Sequence, residues 1–457
     1  MEPNDQAPRI VLPLLRTAAF IGVGLLLQSA YLLVDLYVVA GLGEEALAGV
    51  SIVGLSSLAT NATYQVLCIG AIALTARYTG AADAAAVSRV ASVTLLLAVA
   101  CGLLVLLSGY TAVPYWTDTL SANPATAEHA RAFLYAALPS YAAMFPIAVM
   151  SSLLRAVGLL RASTLVIAVA TLAKCVMTPA LVLGLGPLPA LGVAGAGWSS
   201  SAAILGSLLA MSAAMRAQKR FVWHWPGWAA FQAETGRILR VGIPASAEVG
   251  MALLTTLAIQ WALRHGTPDI QAGFGAAMRI TQILLIPGMA IALALVPISA
   301  GHFGAGRYVL QARGLRCALY FTAGMTALLS LLAAFAPSLL LSVVPLPDAS
   351  TMSSASFQLS LLAATFVPTG VAYVASAHGQ AMGSTIPALL AACLRIPTCV
   401  IPLVVLSWNQ SMPLVTVLGI TIASIWLHAA AGWWLLMRVE RHRNAELPGR
   451  PSCSSST

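Results

Sequence analysis

Along most of the chain, apolar residues continue for twenty or more positions with few charges among them. Short stretches rich in glycine, proline and arginine separate these runs. A helix needs roughly 20 mainly apolar residues to cross a bilayer. The pattern predicts twelve membrane spans, at 17–41, 46–76, 87–113, 131–154, 162–186, 191–215, 238–263, 272–300, 309–343, 355–382, 386–408 and 412–437. Several are longer than the bilayer requires, which implies tilt or extension beyond it. The first run, TAAFIGVGLLLQSAYLLVDLYVVAGLG (17–43), holds one acid, Asp35. A charge at that depth costs roughly 2.5–3.5 kcal/mol on insertion scales, so such residues face a bundle interior or a wet cavity. We read Asp35 as the ion-coupling acid of a transporter.

Composition agrees with a polytopic membrane protein. Hydrophobic residues make up 59% of the chain and charged residues 8%, where a soluble domain carries about 25%. Mean hydropathy is +0.89. The net charge of +9 does not point to nucleic acid, because the basic residues sit in short loops where they set topology. With a cytoplasmic N-terminus, eighteen arginines and lysines fall inside and two, Arg131 and Arg264, outside. Both termini are therefore expected in the cytoplasm, the membrane being a bacterial inner (plasma) membrane. No cleavable signal peptide is visible, since the first sixteen residues hold two acids and two arginines before a long apolar run. The cysteines at 68, 101, 175, 317, 393 and 399 lie in apolar runs without metal-ligand spacing, and Cys453 is in the polar tail.

The stretch 216–237, containing FVWHWPGW, is the longest basic loop and reads as an interfacial linker with tryptophans at headgroup level. It divides the chain into lobes at 1–215 and 238–440, followed by a tail at 441–457. An internal repeat supports the division. Leu15-Arg16 recurs as Leu239-Arg240, YTGAADAAAVSR (78–89) as HFGAGRYVLQAR (302–313), and Phe133 as Phe357. Arg155-Ala-Val-Gly158 recurs as Gln380-Ala-Met-Gly383. Six spans per half make the repeat parallel, with substrate sites expected near the midplane.

Nothing in the chain reads as an enzyme. It has no GxxxxGK[ST] loop and no His/Cys cluster, so no cofactor or metal is expected and transport must draw on an ion gradient. The acids inside spans are Asp35 and Glu248; the bases are Lys174, Arg279 and Arg395. At 1.5 Å per residue Asp35 lies about 27 Å above the inner end of its span, and Glu248 only about 12–15 Å up its own. That implies separate sites, one per lobe. Glu248 follows Pro244 by one turn, where a carbonyl is freed that a protonated Glu could satisfy. Lys174 is the natural partner of Asp35 if spans 1 and 5 are neighbours, although simple rise leaves about 10 Å between them in height. Gln28, Asn61, Gln65, Thr178, Gln260, Gln282 and Thr369 are candidates for the cavity lining, against the commoner role of helix–helix hydrogen bonding. Tyr31, Tyr37, Tyr64, Met144, Phe145, Tyr373 and Met382 are candidates for its apolar wall, against ordinary packing.

With these residues in view, the chain resembles the multidrug and toxic compound extrusion (MATE) family. The resemblance is carried by YLLVDLYVVAGLGEEALAGVSI (31–52), GAIALTARYTGAAD (70–83), LLRAVGLLRAS (153–163), LGVAGAGWSS (191–200), VGIPASAE (241–248) and LRIPTCVIPL (394–403). It implies an all-α membrane protein of twelve transmembrane helices in two six-helix lobes set in a V. It also implies alternating access and export of varied, often cationic organic compounds against inward H⁺ or Na⁺. Asp35 matches the family's first-span Asp. The chain departs from the pattern at Lys174 and Thr178, where some relatives carry Asn and Asp, and at Thr369, in the region where some carry a span-10 acid. These departures favour H⁺ over Na⁺. The expected function is a monomeric H⁺-coupled antiporter of small molecules, embedded in membrane lipid, with Asp35, Lys174 and Glu248 in ion coupling. Gln28, Tyr31, Asn61, Gln65, Thr178 and Thr369 are expected in the cavity. In this scheme an Asp35–Lys174 pair breaks on protonation and lets span 1 bend. Alternatives are a flippase of lipid-linked glycans, a Na⁺-coupled exporter, a dedicated exporter of an anionic or neutral metabolite, or a non-transporting receptor.

Overall fold

A computed structural model describes residues 8–446, apart from 122, 186–188, 219–220, 224, 226, 345–347 and 409–411. The described residues are helical almost throughout. The helices are α1 (Pro8–Ala40), α2 (Glu44–Gly80), α3 (Ala84–Leu120), α4 (Pro124–Ala156), α5 (Leu160–Leu183), α6 (Val193–Ala217), α7 (Trp228–Ala262), α8 (Pro268–Gly304) and α9 (Tyr308–Phe335). There follow α10 (Pro337–Leu341), α11 (Ala349–Leu362), α12 (Phe366–Ala381), α13 (Ile386–Cys393), α14 (Ile401–Leu406) and α15 (Leu414–Glu446). The expected spans map onto α1 to α9, then α11–α12, α13–α14 and α15. Among the described residues, ten segments are long and apolar enough to cross a membrane, and α1 adds a shorter apolar stretch at Val11–Leu27.

The helix ends depart from the sequence expectation where local chemistry intervenes. α7 begins at Trp228, inside the stretch read as a linker, just after Gly227 with its positive φ of 76°. The ninth span stops at Phe335, because Pro337 opens a separate short helix. α15 runs on to Glu446, past the expected start of the tail.

The chain forms two compact units. The first takes the chain up to Ser246 together with Leu293–Cys317 and Gln380–Gly383; the second takes Ala247–Ala292, Ala318–Gly379 and the chain from Ser384. In the first unit α4 is the hub, packing on α2, α3 and α6, while α5 packs on α6 and α1. Phe145, Leu153, Leu154 and Met211 are fully enclosed in its core. α5 shows the inverted pattern of a membrane helix. Leu165, Val169, Leu172 and Val176 form its exposed stripe, while Thr171, Lys174 and Thr178 are buried. Lipid is as apolar as leucine, so the polar groups are the ones that turn inward.

The first unit also holds two glycine-mediated crossings. α2 and α7 meet so closely that a methyl group on Gly70 would press on the Ile238 backbone, and one on Gly242 on the Val66 carbonyl. α2 and α8 meet where a methyl group on Gly80 would overlap the Gly301 carbonyl, and one on Gly304 the Arg77 carbonyl. Residues 77 and 80 are separated from 301 and 304 by the repeat offset, so equivalent positions of the two halves face each other. Arg77 also lies over the Phe303 ring, 4.8 Å from its centroid. The start of α7 is fastened by Glu234, whose buried carboxylate accepts from Arg237 at 2.9 Å and lies 3.9 Å from Arg89.

In the second unit Phe274, Leu359, Phe366, Cys399 and Leu418 are core residues, and α15 packs on α11 and α13. Two helix breaks shape this unit. A 3₁₀ turn at Ala363–Thr365 joins α11 to α12. Pro368 has no N–H for the Ala364 carbonyl one turn back; Trp426 Nε1 donates to it instead at 3.2 Å, and Ser330 donates to the Ala363 carbonyl at 2.7 Å. A π-helical turn at Ile396–Val400, containing Pro397, joins α13 to α14. Turns of this kind interrupt membrane helices where neighbours satisfy the freed groups, often at functional sites.

Candidate functional site

The best-defined polar cluster lies in the second unit. α7 carries Glu248 one turn beyond Pro244. α12 carries Thr369, Tyr373 and Ser376 at the i, i+4, i+7 spacing that puts them on one stripe. Arg395 stands immediately before the π-helical turn, and α15 carries His428. Ser376 Oγ donates to Glu248 Oε2 at 2.5 Å. The carbonyl freed by Pro244 is therefore not the partner of Glu248. Arg395 lies close enough for its charge to act on both Glu248 and Tyr373. Its Nη2 sits 2.8 Å from His428 Nδ1.

An arginine has only donors, so His428 Nδ1 must accept. His428 is therefore the neutral tautomer with its proton on Nε2. Arg395 Nε is buried and has no hydrogen-bond partner among the described residues. A small pocket of about 10 Å³, room for roughly one water, adjoins the cluster. Glu248, Ser376 and His428 line it together with Gly379, Ser384 and Leu436. Gly379 and Ser384 flank the turn between α12 and α13. Nearby, His378 on α12 is fully buried and bonds Glu440 on α15 at 2.9 Å. Thr398 on the π-helical turn bonds Ser424 at 2.7 Å.

Most other residues singled out from sequence belong to the first unit. Lys174 is buried at 1% exposure and engaged by its surroundings. It is on α5, which packs against α1, the helix of Asp35. The side chains of Asp35, Gln28 and Tyr31 lie outside the described set. Thr178 is fully buried and bonds Ser199 on α6 at 2.8 Å. Asn61 donates to Tyr64 Oη at 2.5 Å, and Tyr64 packs edge-on against Phe145. Gln65 and Thr369 are half-buried, and Arg279 is exposed. Glu248 and Thr369 are thus brought into one unit, with Asn61, Gln65, Lys174 and Thr178 in the other.

Sequence reasoning singled out Glu248, Tyr373 and Arg395 but missed Ser376, His428 and the His378–Glu440 pair. The available signal was a histidine in each of two apolar runs, AYVASAHGQAMG and IWLHAAAGWW. Intramembrane histidines are rare enough to be candidates on that ground alone.

The sequence model of the MatE family matches residues 21–180 and 244–406. A curated relative, the FAD transporter of Shewanella oneidensis, is 25% identical over 259 residues, covering 55% of this chain and 56% of that protein. The chain thus spans little more than half the length of that relative. The fold is similar to the outward-facing structure of a multidrug resistance MATE family transporter of the MOP superfamily, with a TM-score of 0.86. Identity is 20%, over 96% of this chain and 99% of that one. It is similar to a MOP superfamily transporter from Pyrococcus furiosus, whose description says that reversed polarity of its binding pocket suggests a different function. There the TM-score is 0.85 and identity 20%, over 97% and 99% of the two chains.

Proposed function

The chain belongs to the MatE family, and from that premise we propose that it is a secondary antiporter exporting small organic compounds in exchange for H⁺ by alternating access. It is an integral membrane transporter and not an enzyme. The observation that carries the proton-coupled reading is Glu248, a carboxylate within a membrane helix, held by Ser376 and opening onto a pocket. Such a group can exist charged or neutral at modest cost only if its surroundings serve both forms. Ser376 and the field of Arg395 serve the ionised form, and the apolar pocket walls serve the protonated one. Asp35 and Lys174 are assigned to the same coupling in the first unit, and H⁺ takes the place of any cofactor. The inner bacterial membrane, with both termini cytoplasmic, is the proposed location, and a single chain the proposed working unit.

The test is efflux from proteoliposomes with ΔpH and a sodium gradient imposed separately, on wild type, Asp35→Asn and Glu248→Gln. Export driven by ΔpH, with a drop of at least about tenfold in either variant, is the expected result. Export that follows sodium alone would overturn the reading.

A second reading concerns the cargo. The Shewanella relative is described as an FAD transporter, and the spans here carry three bases against two acids. An anionic metabolite of the flavin nucleotide kind is therefore the first compound to test as a competitor against organic cations.

A further inference from the structure

His428 has no place in the coupling scheme so far, and Arg395 enters it only as a fixed field, yet both stand beside Glu248. Three observations bear on what they do. First, Arg395 is bonded to His428 Nδ1, and its charge also reaches Glu248, with which it makes no ion pair. Second, the bond to Arg395 fixes His428 as a neutral imidazole whose Nδ1 is blocked for as long as the bond lasts. Third, His428 and Glu248 line the same pocket, together with Gly379 and Ser384.

We propose that His428 is the proton acceptor through which Glu248 discharges, and that Arg395 is the positioning residue that switches between them. This deepens the proton-coupled reading above and rests on it for its direction. While Glu248 holds its proton, it offers Arg395 no charge, and Arg395 stays on His428. When the Glu248 O–H bond breaks, the new carboxylate draws the guanidinium across. That uncovers His428 Nδ1, and an N–H bond forms there with the departing proton, carried through pocket water. The imidazolium then loses its Nε2 proton to the same pocket, and one proton has left Glu248 in total. A ring flip restores an acceptor nitrogen for Arg395 when the next proton loads Glu248.

The titratable and charged groups that face this exchange are Glu248 from α7, Tyr373 from α12, Arg395 before the π-helical turn, Cys399 on that turn and His428 from α15. The His378–Glu440 pair stands farther along α12 and α15. No described carboxylate lies within 4 Å of Arg395, and Tyr373 and Cys399 share its field with Glu248.

The test uses the full chain in proteoliposomes and infrared difference spectra after a pH jump. The protonated carboxyl band of Glu248 is assigned by its loss in Glu248→Gln. In His428→Asn the side-chain oxygen still accepts from Arg395 but takes up no proton. The Glu248 band should then decay at least about tenfold more slowly than in wild type. In His428→Ala, added imidazole should restore part of the rate, which a purely structural defect would not allow. If His428→Asn fails to accumulate in the membrane, His428→Gln supplies the same acceptor. A wild-type decay rate in these variants, or a Glu248 band that does not respond to pH, overturns the relay. A His428-dependent decay in a protein whose export ignores ΔpH would instead overturn the coupling reading and leave the relay standing.

Discussion

At the scale of single residues, the second-unit site is a set of shared dependencies. Removing Arg395 takes the donor from His428 and the counter-charge from Glu248 at once, so Arg395→Met should be worse than either neighbour's loss predicts. Leaving a buried polar partner unsatisfied costs about 1–3 kcal/mol. The expected result is a thermal midpoint lower than wild type by several degrees, read on detergent-solubilised protein, together with lost export. Ser376→Ala, which removes one donor to Glu248, should lower the midpoint less and leave the protein folded. The acid, the base and the tyrosine of this site were legible in the sequence because charges and aromatics stand out in an apolar run. Ser376 and His428 were not, because their roles depend on which helices are neighbours. Hydropathy gives the number of spans but not their arrangement. The same limit applies to Thr178, whose bond to Ser199 belongs to helix packing.

At the scale of helices, the spans were readable almost throughout, and the departures have local causes. Pro337 ends the ninth span early. Trp228 starts α7 before the hydropathy signal does, because the buried Glu234 and its arginines hold polar turns that an apolar window rejects. The π-helical turn after Arg395 left no hydropathy trace, since Ile396–Val400 is as apolar as its neighbours. Within α7 two glycines make opposite predictions. Gly242 lies against the Val66 backbone, and Gly250 has nothing within 4 Å of an added methyl group. Gly242→Ala should destabilise by about 1–3 kcal/mol through overpacking. Gly250→Ala should be neutral or stabilising by up to about 1 kcal/mol. Thermal midpoints of the two variants, measured side by side, check this; equal shifts would mean that the α2–α7 crossing is looser than described.

At the scale of the whole molecule, the arginine distribution gives the orientation its sharpest prediction. A fluorescent reporter fused after Thr457 should be bright in bacterial cells, and a periplasm-dependent phosphatase at the same place should be inactive. A phosphatase inserted near Arg131 should be active. The reverse pattern would invert the sense in which the pocket at the α12–α13 turn delivers its protons. The repeat that divides the sequence has a physical counterpart in the crossing of α2 and α8, where Gly80 meets Gly301 and Gly304 meets Arg77. A contact between equivalent positions is the signature of an isologous interface, as in a two-fold homodimer. In an ancestor made of two unfused copies, any substitution at this crossing would have struck both sides together. In a single chain each side can change alone. Arg77 now covers the ring of Phe303, while their counterparts are Gly301 and Thr79. A single chain thus allows this contact an asymmetry that two identical subunits could not have, and Gly80 and Gly304 are the equivalent pair that remains identical.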